Sequence, residues 1–593
     1  MKQGCMRKSL RSRLTTPEAV PAQRGYGLQQ HSFTDKIMSH SNTQTTLTGG
    51  IVLANALHQH GVDRIFCVPG ESYLDVLDAL YDLPDIEVVV AKHEGAAANM
   101  AEADGKLTGR PGICFVTRGP GATHGSIGVH IAQQDSTPMI MFIGQVPRGE
   151  RGRDSFQEID YAAMFGTIAK WVVEIDDPDR IEEIVARAFR IATAGRPGPV
   201  VISLPEDMLG ALARPLSGLA SNSVIANAPR EEDIDAILGR LREAARPLVL
   251  LGGTGWCDEG LNAFRRFIER WDLPVAATFR HQDVLDNRSP NYVGHLGLGP
   301  DPKLAELVKQ ADLILAVGTR LGSVSTGDYG YMSVPYPAQY LVHVYPEQAD
   351  IGRVFSPHLG LVTSSSAWAL TMLARSPEQP PVSWSARTKE ARGNYLQFSQ
   401  MPPVHEASVG VNLARVVKDI SETLPDTAVV ANGAGNYTVW VHRFFAYKQR
   451  GTCLAPTNGS MGYGVPAAIA AKLRNPERDV IAFAGDGCFL MYAQELATAV
   501  QYRANIVVVV VNNGMYGTIR MHQEKRFPGR PIGTDLTGPD FVALATAFGA
   551  YAERVDDADA FLEALERTRS QDRPAVIELR TDPKQITPFM RIG

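Results

Sequence analysis

Short apolar runs rich in β-branched residues alternate with stretches of helical periodicity from Gly50 onward. This alternation is typical of parallel sheets whose strands are joined by helices. The runs that predict strands are Ile86–Ala91, Ile113–Val116, Met139–Ile143, Val200–Leu204, Pro247–Leu251, Leu313–Val317, Tyr340–Val344, Asp479–Ala484 and Ile506–Val511. We therefore expect an α/β fold built from three doubly wound parallel-sheet domains.

Two stretches with little periodicity divide the chain. Residues 213–230 are interpreted as a linker, and the polar, proline-bearing residues 376–403 separate the last two blocks. The predicted domains are residues 46–212, 230–375 and 404–590. Residues 1–45 are basic and rich in Ser, Thr and Gln, which predicts a disordered tail. A transit peptide has a similar composition, and Met38 could open a shorter chain, so these alternatives stay open.

Bulk composition excludes several classes of protein. The net charge of -6 offers no basic footprint for nucleic acid. The longest apolar runs are too short to span a membrane. The six cysteines form no CxxC pair, which argues against a disulfide framework or a zinc site and favours the reducing cytoplasm.

A strand–helix–strand pattern near the C-terminus carries the strongest chemistry. The run Asp479–Ala484 ends in a Gly-Asp-Gly turn centred on Asp486, and a helical pattern follows. The run Ile506–Val511 ends directly in Asn512 and Asn513. Ligands bind beyond the carboxyl ends of strands in such sheets, and Mg²⁺ prefers oxygen ligands together with phosphate oxygens. Two unrelated turns are the alternative interpretation.

Taken together, this pattern resembles the thiamine diphosphate (ThDP) fingerprint of the acetolactate synthase and 2-oxo-acid decarboxylase superfamily. The resemblance implies a Mg²⁺ ion held by Asp486, Asn513 and the backbone carbonyl of Met515. Met461 would wedge between the two rings of the cofactor. The residues that the resemblance places on ThDP are Gly70, Gly435, Asn436, Tyr437, Gly459, Met461, Gly485, Asp486, Gly487, Cys488, Asn513 and Met515. The family usually has Gln-His where this chain has Asn436 and Tyr437.

Glu94 follows a predicted strand and begins a helix of small residues. A carboxyl group in an apolar site can share a proton with the cofactor's pyrimidine, which general acid–base chemistry requires. The segment 92–98 resembles the family's catalytic glutamate motif, and this implies that Glu94 is catalytic. The alternative is an ordinary acidic residue that favours the N-terminus of a helix.

Other motifs resemble acetolactate synthase in particular. Segments 144–147 and 156–158 imply that Phe156 and Gln157 border the substrate. Segments 252–253 and 317–320 resemble the family's flavin domain, and the resemblance implies that Arg320 meets a substrate carboxylate. A surface or interdomain salt bridge is the alternative for Arg320. Because the residues after Arg320 depart from the family pattern, FAD stays an open alternative as a further cofactor.

The resemblance implies decarboxylation of a 2-oxo acid such as pyruvate, followed by carboligation to a second 2-oxo acid. Release of a free aldehyde is the alternative, and the sequence lacks the paired histidines of pyruvate decarboxylase near Glu94. A ThDP-binding scaffold without turnover is disfavoured because Glu94, Asp486 and Asn513 are all present. The family builds each site from two subunits, which implies a homodimer or homotetramer; a regulatory subunit stays open.

Overall fold

The computed structural model describes residues 46–215, 227–403, 405 and 408–592. The predicted tail, residues 1–45, lies outside the described residues, as does most of the predicted linker. No helix in the described part of the chain is long and apolar enough to cross a membrane.

The first domain contains a parallel six-stranded sheet and a small antiparallel pair that joins its two ends. Its strands are β1 Leu47–Thr48, β2 Arg64–Cys67, β3 Glu87–Val90, β4 Gly112–Val116, β5 Met139–Gln145, β6 Trp171–Glu174, β7 Pro199–Pro205 and β8 Leu212–Ala213. Its helices are α1 Gly49–Gln59, α2 Leu74–Tyr81, α3 Glu94–Thr108, α4 Pro120–Asp135, α5 Tyr161–Phe165, α6 Ile181–Thr193 and α7 Glu206–Gly210.

The central domain has its own parallel six-stranded sheet. Its strands are β9 Pro247–Leu251, β10 Val275–Ala277, β11 Tyr292–His295, β12 Leu313–Val317, β13 Tyr340–Tyr345 and β14 Leu359–Val362. Its helices are α8 Glu231–Glu243, α9 Asp258–Arg270, α10 Pro302–Lys309 and α11 Ser365–Arg375. A further helix, α12 Ser385–Phe398, follows them.

The C-terminal domain repeats the parallel arrangement and ends in a short hairpin. Its strands are β15 Val429–Asn432, β16 Cys453–Leu454, β17 Val480–Gly485, β18 Val507–Asn512, β19 Tyr551–Val555, β20 Ala575–Arg580, β21 Gln585–Thr587 and β22 Met590–Arg591. Its helices are α13 Leu413–Thr423, α14 Tyr437–Phe444, α15 Gly464–Arg474, α16 Asp486–Phe489, α17 Glu495–Gln501, α18 Gly517–Arg526, α19 Phe541–Ala547 and α20 Phe561–Arg569.

The outer two domains share one topology, and the central domain has another. Counted along each domain, the order is 2-1-3-4-6-5 in the first sheet (β3-β2-β4-β5-β7-β6) and in the last (β16-β15-β17-β18-β20-β19). The central sheet has the order β11-β10-β9-β12-β13-β14, which is the dinucleotide-fold order 3-2-1-4-5-6. The predicted fold class, three doubly wound parallel sheets, is confirmed.

Each predicted strand run coincides with a strand to within two residues at either end. Within the polar segment 376–403, α12 occupies half of the residues. Its Ala391 is buried, and its Tyr395 packs edge-on against Tyr292 of β11 with ring centroids 5.1 Å apart. Tertiary packing of a few side chains therefore stabilises a helix that has little apolar periodicity of its own.

Small residues let two helices of the first domain pack closely together. Helix α3 carries a run of buried alanines, and α4 approaches it so closely that a Cβ on Gly128 would lie 2.5 Å from the Ala98 side chain. One continuous apolar core runs from this helix pair into the C-terminal sheet. The two outer sheets are therefore held in a fixed relation by buried apolar surface.

Candidate active site

A cavity of about 890 Å³ opens at the carboxyl edge of the C-terminal sheet. It lies where the strand order reverses between β15 and β17, the position at which doubly wound sheets bind ligands. The volume falls in the range of small-molecule and cofactor sites. The predicted cofactor residues that line it are Gly435, Asn436, Tyr437, Gly459, Met461, Gly485, Asp486, Gly487, Cys488, Asn513 and Met515.

The carboxylate of Asp486 is 4% exposed and lies beside the loop that follows β18. Burial raises the pKa of Asp486, while the N–H groups of Gly487, Gly514 and Met515 face the carboxylate and oppose that shift. The N–H of Gly487 donates to Asp486 Oδ1 at 2.8 Å. A buried carboxylate next to oxygen-bearing Asn513 suits a hard divalent cation, because the cation offsets the cost of burying the charge.

The floor of the cavity is formed by Tyr437 and Cys488. The Tyr437 hydroxyl accepts a hydrogen bond from the Gly433 N–H at 3.0 Å and lies 3.4 Å from Cys488 Sγ. The Gly462 N–H donates to the same sulfur at 3.2 Å. The Tyr437 hydroxyl is therefore engaged with protein groups. Cys488 thus connects three of the four loops that carry the predicted cofactor residues of the cavity; the loop with Asn513 and Met515 is the fourth.

Two glycines are required by the backbone at this edge. Gly435 has a φ of +144°, which side chains of L-residues rarely adopt. A Cβ on Gly487 would lie 2.5 Å from the ring of Tyr516. The Asn436 side chain accepts a hydrogen bond from the Thr518 hydroxyl at 2.9 Å, which joins the loop after β15 to α18.

Glu94 begins α3 at the carboxyl edge of the first sheet and does not line the cavity described above. Its side chain is 15% exposed, and His124 Nδ1 lies 2.9 Å from its Oε2. The rings of His93 and His124 stack with centroids 4.8 Å apart. The carboxylate of Glu495, from α17, accepts the Lys92 N–H at 3.0 Å and so anchors the backbone just before Glu94.

The other predicted residues of the first domain gather along the same edge. Gly70 lies against Thr117, since an added Cβ would meet its side chain at 2.5 Å. Gln157 has a φ of +67° and packs against Gly119. Phe156, beside it, is 75% exposed. Within one chain, the predicted site is thus divided between two sheet edges.

Comparisons with known proteins match this architecture domain by domain. Three thiamine pyrophosphate enzyme models match: the N-terminal TPP binding domain at residues 47–164, the central domain at 234–373 and the C-terminal TPP binding domain at 433–579. The acetolactate synthase large subunit of Parasynechococcus marenigrum is 32% identical over 556 residues, which cover 91% of this chain and 88% of the relative. This chain belongs to the acetolactate synthase family of thiamine diphosphate enzymes.

Two further relatives agree. The acetolactate synthase large subunit of Corynebacterium glutamicum is 30% identical over 565 residues, covering 92% of this chain and 89% of that protein. The probable acetolactate synthase large subunit of Methanocaldococcus jannaschii is 31% identical over 568 residues, covering 92% and 94%. The predicted family and the prediction that the chain is an enzyme are confirmed.

Arg320 lies at an interdomain contact in this member of the acetolactate synthase family. Its guanidinium donates to the backbone carbonyl of Gln134, in α4, at 2.6 Å. Desolvation lowers the pKa of Arg320. Arg320 does not line the cavity, and its interdomain bond goes to a backbone carbonyl, so it is not the salt bridge weighed as the alternative.

Two histidines that are distant in sequence lie beside Glu94. The absence of a paired histidine motif near Glu94 favoured carboligation, yet His93 and His124 stack beside Glu94 in the folded chain. Helix α3 and strand β4 lie between the two histidines in the sequence, so no short motif predicts that they are neighbours. Burial lowers the pKa of His93, and its Nδ1 accepts the Gly95 N–H at 2.9 Å.

Part of the cavity wall comes from residues that no sequence motif identifies. The segment after β20 folds over the cavity through Gln585, Ile586 and Phe589, and α18 contributes Met521 and Lys525. These residues carry no short motif. Only the return of the chain after the last strand brings them to the cavity.

Proposed function

We propose that this chain decarboxylates a 2-oxo acid such as pyruvate, with ThDP and Mg²⁺, and joins the remaining fragment to a second 2-oxo acid. The names of the acetolactate synthase relatives support this activity. The observation that carries the proposal is the cavity at the strand-order reversal, which collects the Asp486, Asn513 and Met515 group together with Met461.

The donor set fits the cofactor and its metal. Asp486, the Asn513 side chain and the Met515 carbonyl would hold Mg²⁺, because carboxylate, amide and carbonyl oxygens are its preferred ligands. Gly435 and Gly487 line the cavity and let the backbone pass close to the rings of Tyr437 and Tyr516, where a side chain would clash. When bound, ThDP supplies an electron sink that makes loss of carbon dioxide from a 2-oxo acid feasible.

Glu94 would hold and move the proton at the pyrimidine N1′. It lies at the edge of the first sheet, whereas the metal group lies at the edge of the last, and Glu94 does not line that cavity. This separation supports an arrangement in which Glu94 of one copy faces the cavity of another. We therefore propose a homodimer or homotetramer as the active form. In a symmetric dimer each copy can place its Glu94 at the cavity of the other copy, so that two complete sites form together.

Gly70, Phe156 and Gln157 would then face the reacting groups from the partner's first domain. The exposure of Phe156 supports this, because an exposed aromatic side chain at a loop tip is suited to be covered on association. Arg320 as a carboxylate ligand would first have to leave Gln134. The free cysteines among the described residues support the proposed cytoplasmic location.

A flavin fits the central domain poorly. The central strand order favours a dinucleotide, but α9, the helix that follows β9, begins with Asp258 and Glu259 in its first turn. Two carboxylates at a helix N-terminus repel the pyrophosphate that such domains hold there. The reaction proposed for this chain therefore includes no step on FAD.

Product analysis tests the proposal. Purified protein with ThDP, Mg²⁺ and pyruvate should give acetolactate as the main product by NMR. Acetaldehyde as the main product would instead assign the chain as a 2-oxo-acid decarboxylase, and the histidine pair beside Glu94 would be its first candidate proton donor. A His124→Asn variant distinguishes the carboligation route from the aldehyde route. Only aldehyde release would need the imidazole as a proton donor, so only that activity should be lost.

A further inference from the structure

Residues 455–457, directly before the loop that carries Gly459 and Met461, are held by charged side chains from both other domains. The Lys106 ammonium of α3, the Asp135 carboxylate of α4 and the Arg280 guanidinium of the central domain surround this segment. The contacts are Lys106 Nζ to the Ala455 carbonyl at 3.3 Å, Arg280 to the Pro456 carbonyl, and the Thr457 N–H to Asp135 Oδ1 at 2.7 Å. We call these three side chains the clamp.

Arg280 spans two loops of the cavity. Its second terminal nitrogen donates to the Gly433 carbonyl at 2.7 Å, so one guanidinium holds both the loop after β15 and the segment before Met461. Arg280 is 3% exposed and has a φ of +63°, a backbone conformation uncommon for residues other than glycine. Such a conformation persists only where the surrounding structure enforces it, and it concentrates at functional sites.

The first domain also holds the far end of the loop. The Tyr463 hydroxyl, two residues beyond Met461, donates to Glu102 Oε2 at 2.5 Å. Lys106 forms ion pairs with both Glu102, at 3.2 Å, and Asp135. These acidic side chains are fully buried, so their charges are stable only while they are paired.

Between these two anchors the loop bonds to the first domain through Asn458 Nδ2, 3.0 Å from His130 Nδ1 of α4, and to Cys488 Sγ through the Gly462 N–H at 3.2 Å. Gly459 and Gly462 have φ values of +73° and +84°, and a Cβ on Gly459 would meet nothing within 4 Å. The position of Met461 in the cavity therefore depends on the contacts at both ends of the loop together with these two bonds. The side chains that hold those ends come largely from the other two domains.

We propose that Lys106, Asp135 and Arg280 are positioning residues, and that they fix the Met461 loop so that cofactor affinity in the C-terminal domain depends on the other two domains. The inference rests on the proposed function, in that the cavity is taken to bind ThDP. A charged side chain that donates to two carbonyls acts here as a rigid interdomain link.

The test compares Arg280→Met and Arg280→Lys with Arg392→Met in the full-length protein. Arg392 is a matched control, since its guanidinium donates to the Tyr292 carbonyl at 2.8 Å within the central region and away from the cavity. ThDP affinity is measured by isothermal titration with Mg²⁺, and amide hydrogen exchange of residues 458–463 is measured without cofactor.

We expect Arg280→Met to weaken ThDP binding by about tenfold or more, the usual effect of losing charge-assisted hydrogen bonds. Exchange at residues 458–463 should rise, and Arg280→Lys should recover part of both effects. The KM for ThDP should rise more than kcat falls. In Arg392→Met the affinity should stay within about twofold of wild type, as expected for a site that shares no partners with the loop.

A ThDP affinity in Arg280→Met within about twofold of wild type would overturn the clamp, since uncoupled sites behave in that way. If Arg280→Met does not fold, the double variant Lys106→Met/Glu102→Gln takes its place in the test. This double variant removes one positive and one negative charge that form an ion pair with each other. Wild-type protein that binds no ThDP would defeat the proposed function instead, while the exchange measurement would still decide whether the clamp orders the loop.

Discussion

Replacing Glu94 with glutamine separates chemistry from folding. The amide has the same shape and can still bond to His124, which lies 2.9 Å away. Loss of one negative charge at the start of α3 costs about 0.3–1 kcal/mol. Loss of a general acid–base group costs about 10²–10⁴ in rate, which corresponds to about 2.7–5.5 kcal/mol of transition-state free energy. Activity should therefore fall far more than stability does.

The assay is steady-state turnover of pyruvate at saturating ThDP, with cofactor affinity by titration calorimetry and unfolding by differential scanning fluorimetry. Glu87→Gln is the matched control, because Glu87 lies on the preceding strand and its carboxylate accepts from Arg64 Nε at 2.8 Å. We expect Glu94→Gln to bind ThDP nearly as well as wild type. A variant that keeps more than about a tenth of wild-type turnover would refute the assignment, because that lies outside the range for a general acid–base group.

Three further outcomes are expected. Asp486→Ala should abolish Mg²⁺-dependent binding of ThDP in titration calorimetry. The control is Asp535→Ala, which removes an exposed carboxylate in the neighbouring loop and should leave ThDP binding intact. Unchanged ThDP affinity in Asp486→Ala would show that Asp486 is not a metal ligand. Light scattering should find the active protein as a dimer or tetramer, and an active monomer would contradict the shared site. Burial lowers the pKa of His295 from 6.5 to about 4. As the pH falls from 6.5 to 4, His295 is therefore protonated in the unfolded chain but not yet in the folded one. Between pH 6.5 and 4 the free energy of unfolding should then fall by up to about 3 kcal/mol more in wild type than in His295→Phe. Urea denaturation at several pH values measures this difference. If the free energy of unfolding changes equally with pH in both proteins, His295 does not titrate as inferred.

Local patterns were sufficient to predict the strands that carry the chemistry. The runs before Asp486 and Asn513 are buried on both faces, and strands of that kind are nearly continuous apolar stretches with abrupt polar ends. Shorter strands escaped prediction. Strand β16 has two residues and β10 has three, too few for a period to be detected. Helix α12 was missed because its burial depends on a few contacts with the central sheet.

Contacts between distant segments could not be read from the sequence. His124 and Glu94 are 30 residues apart and meet because α3 and α4 pack side by side. Arg280 lies 176 residues before Pro456, and neither residue belongs to a recognisable motif. Side-chain pairs of this kind depend on which strands are neighbours and on how domains dock.

The sequence alone thus determined the α/β class and the positions of Asp486 and Asn513 at strand ends, because burial and turn residues leave a local and periodic pattern. The tertiary structure alone decided that Asp486 and Glu94 lie on separate sheet edges, that Arg320 bonds to Gln134, and that the clamp surrounds residues 455–457. These outcomes depend on how the domains dock, because buried charged side chains bond to groups that are far away in the sequence. The local periodicity of the sequence holds no information about such contacts.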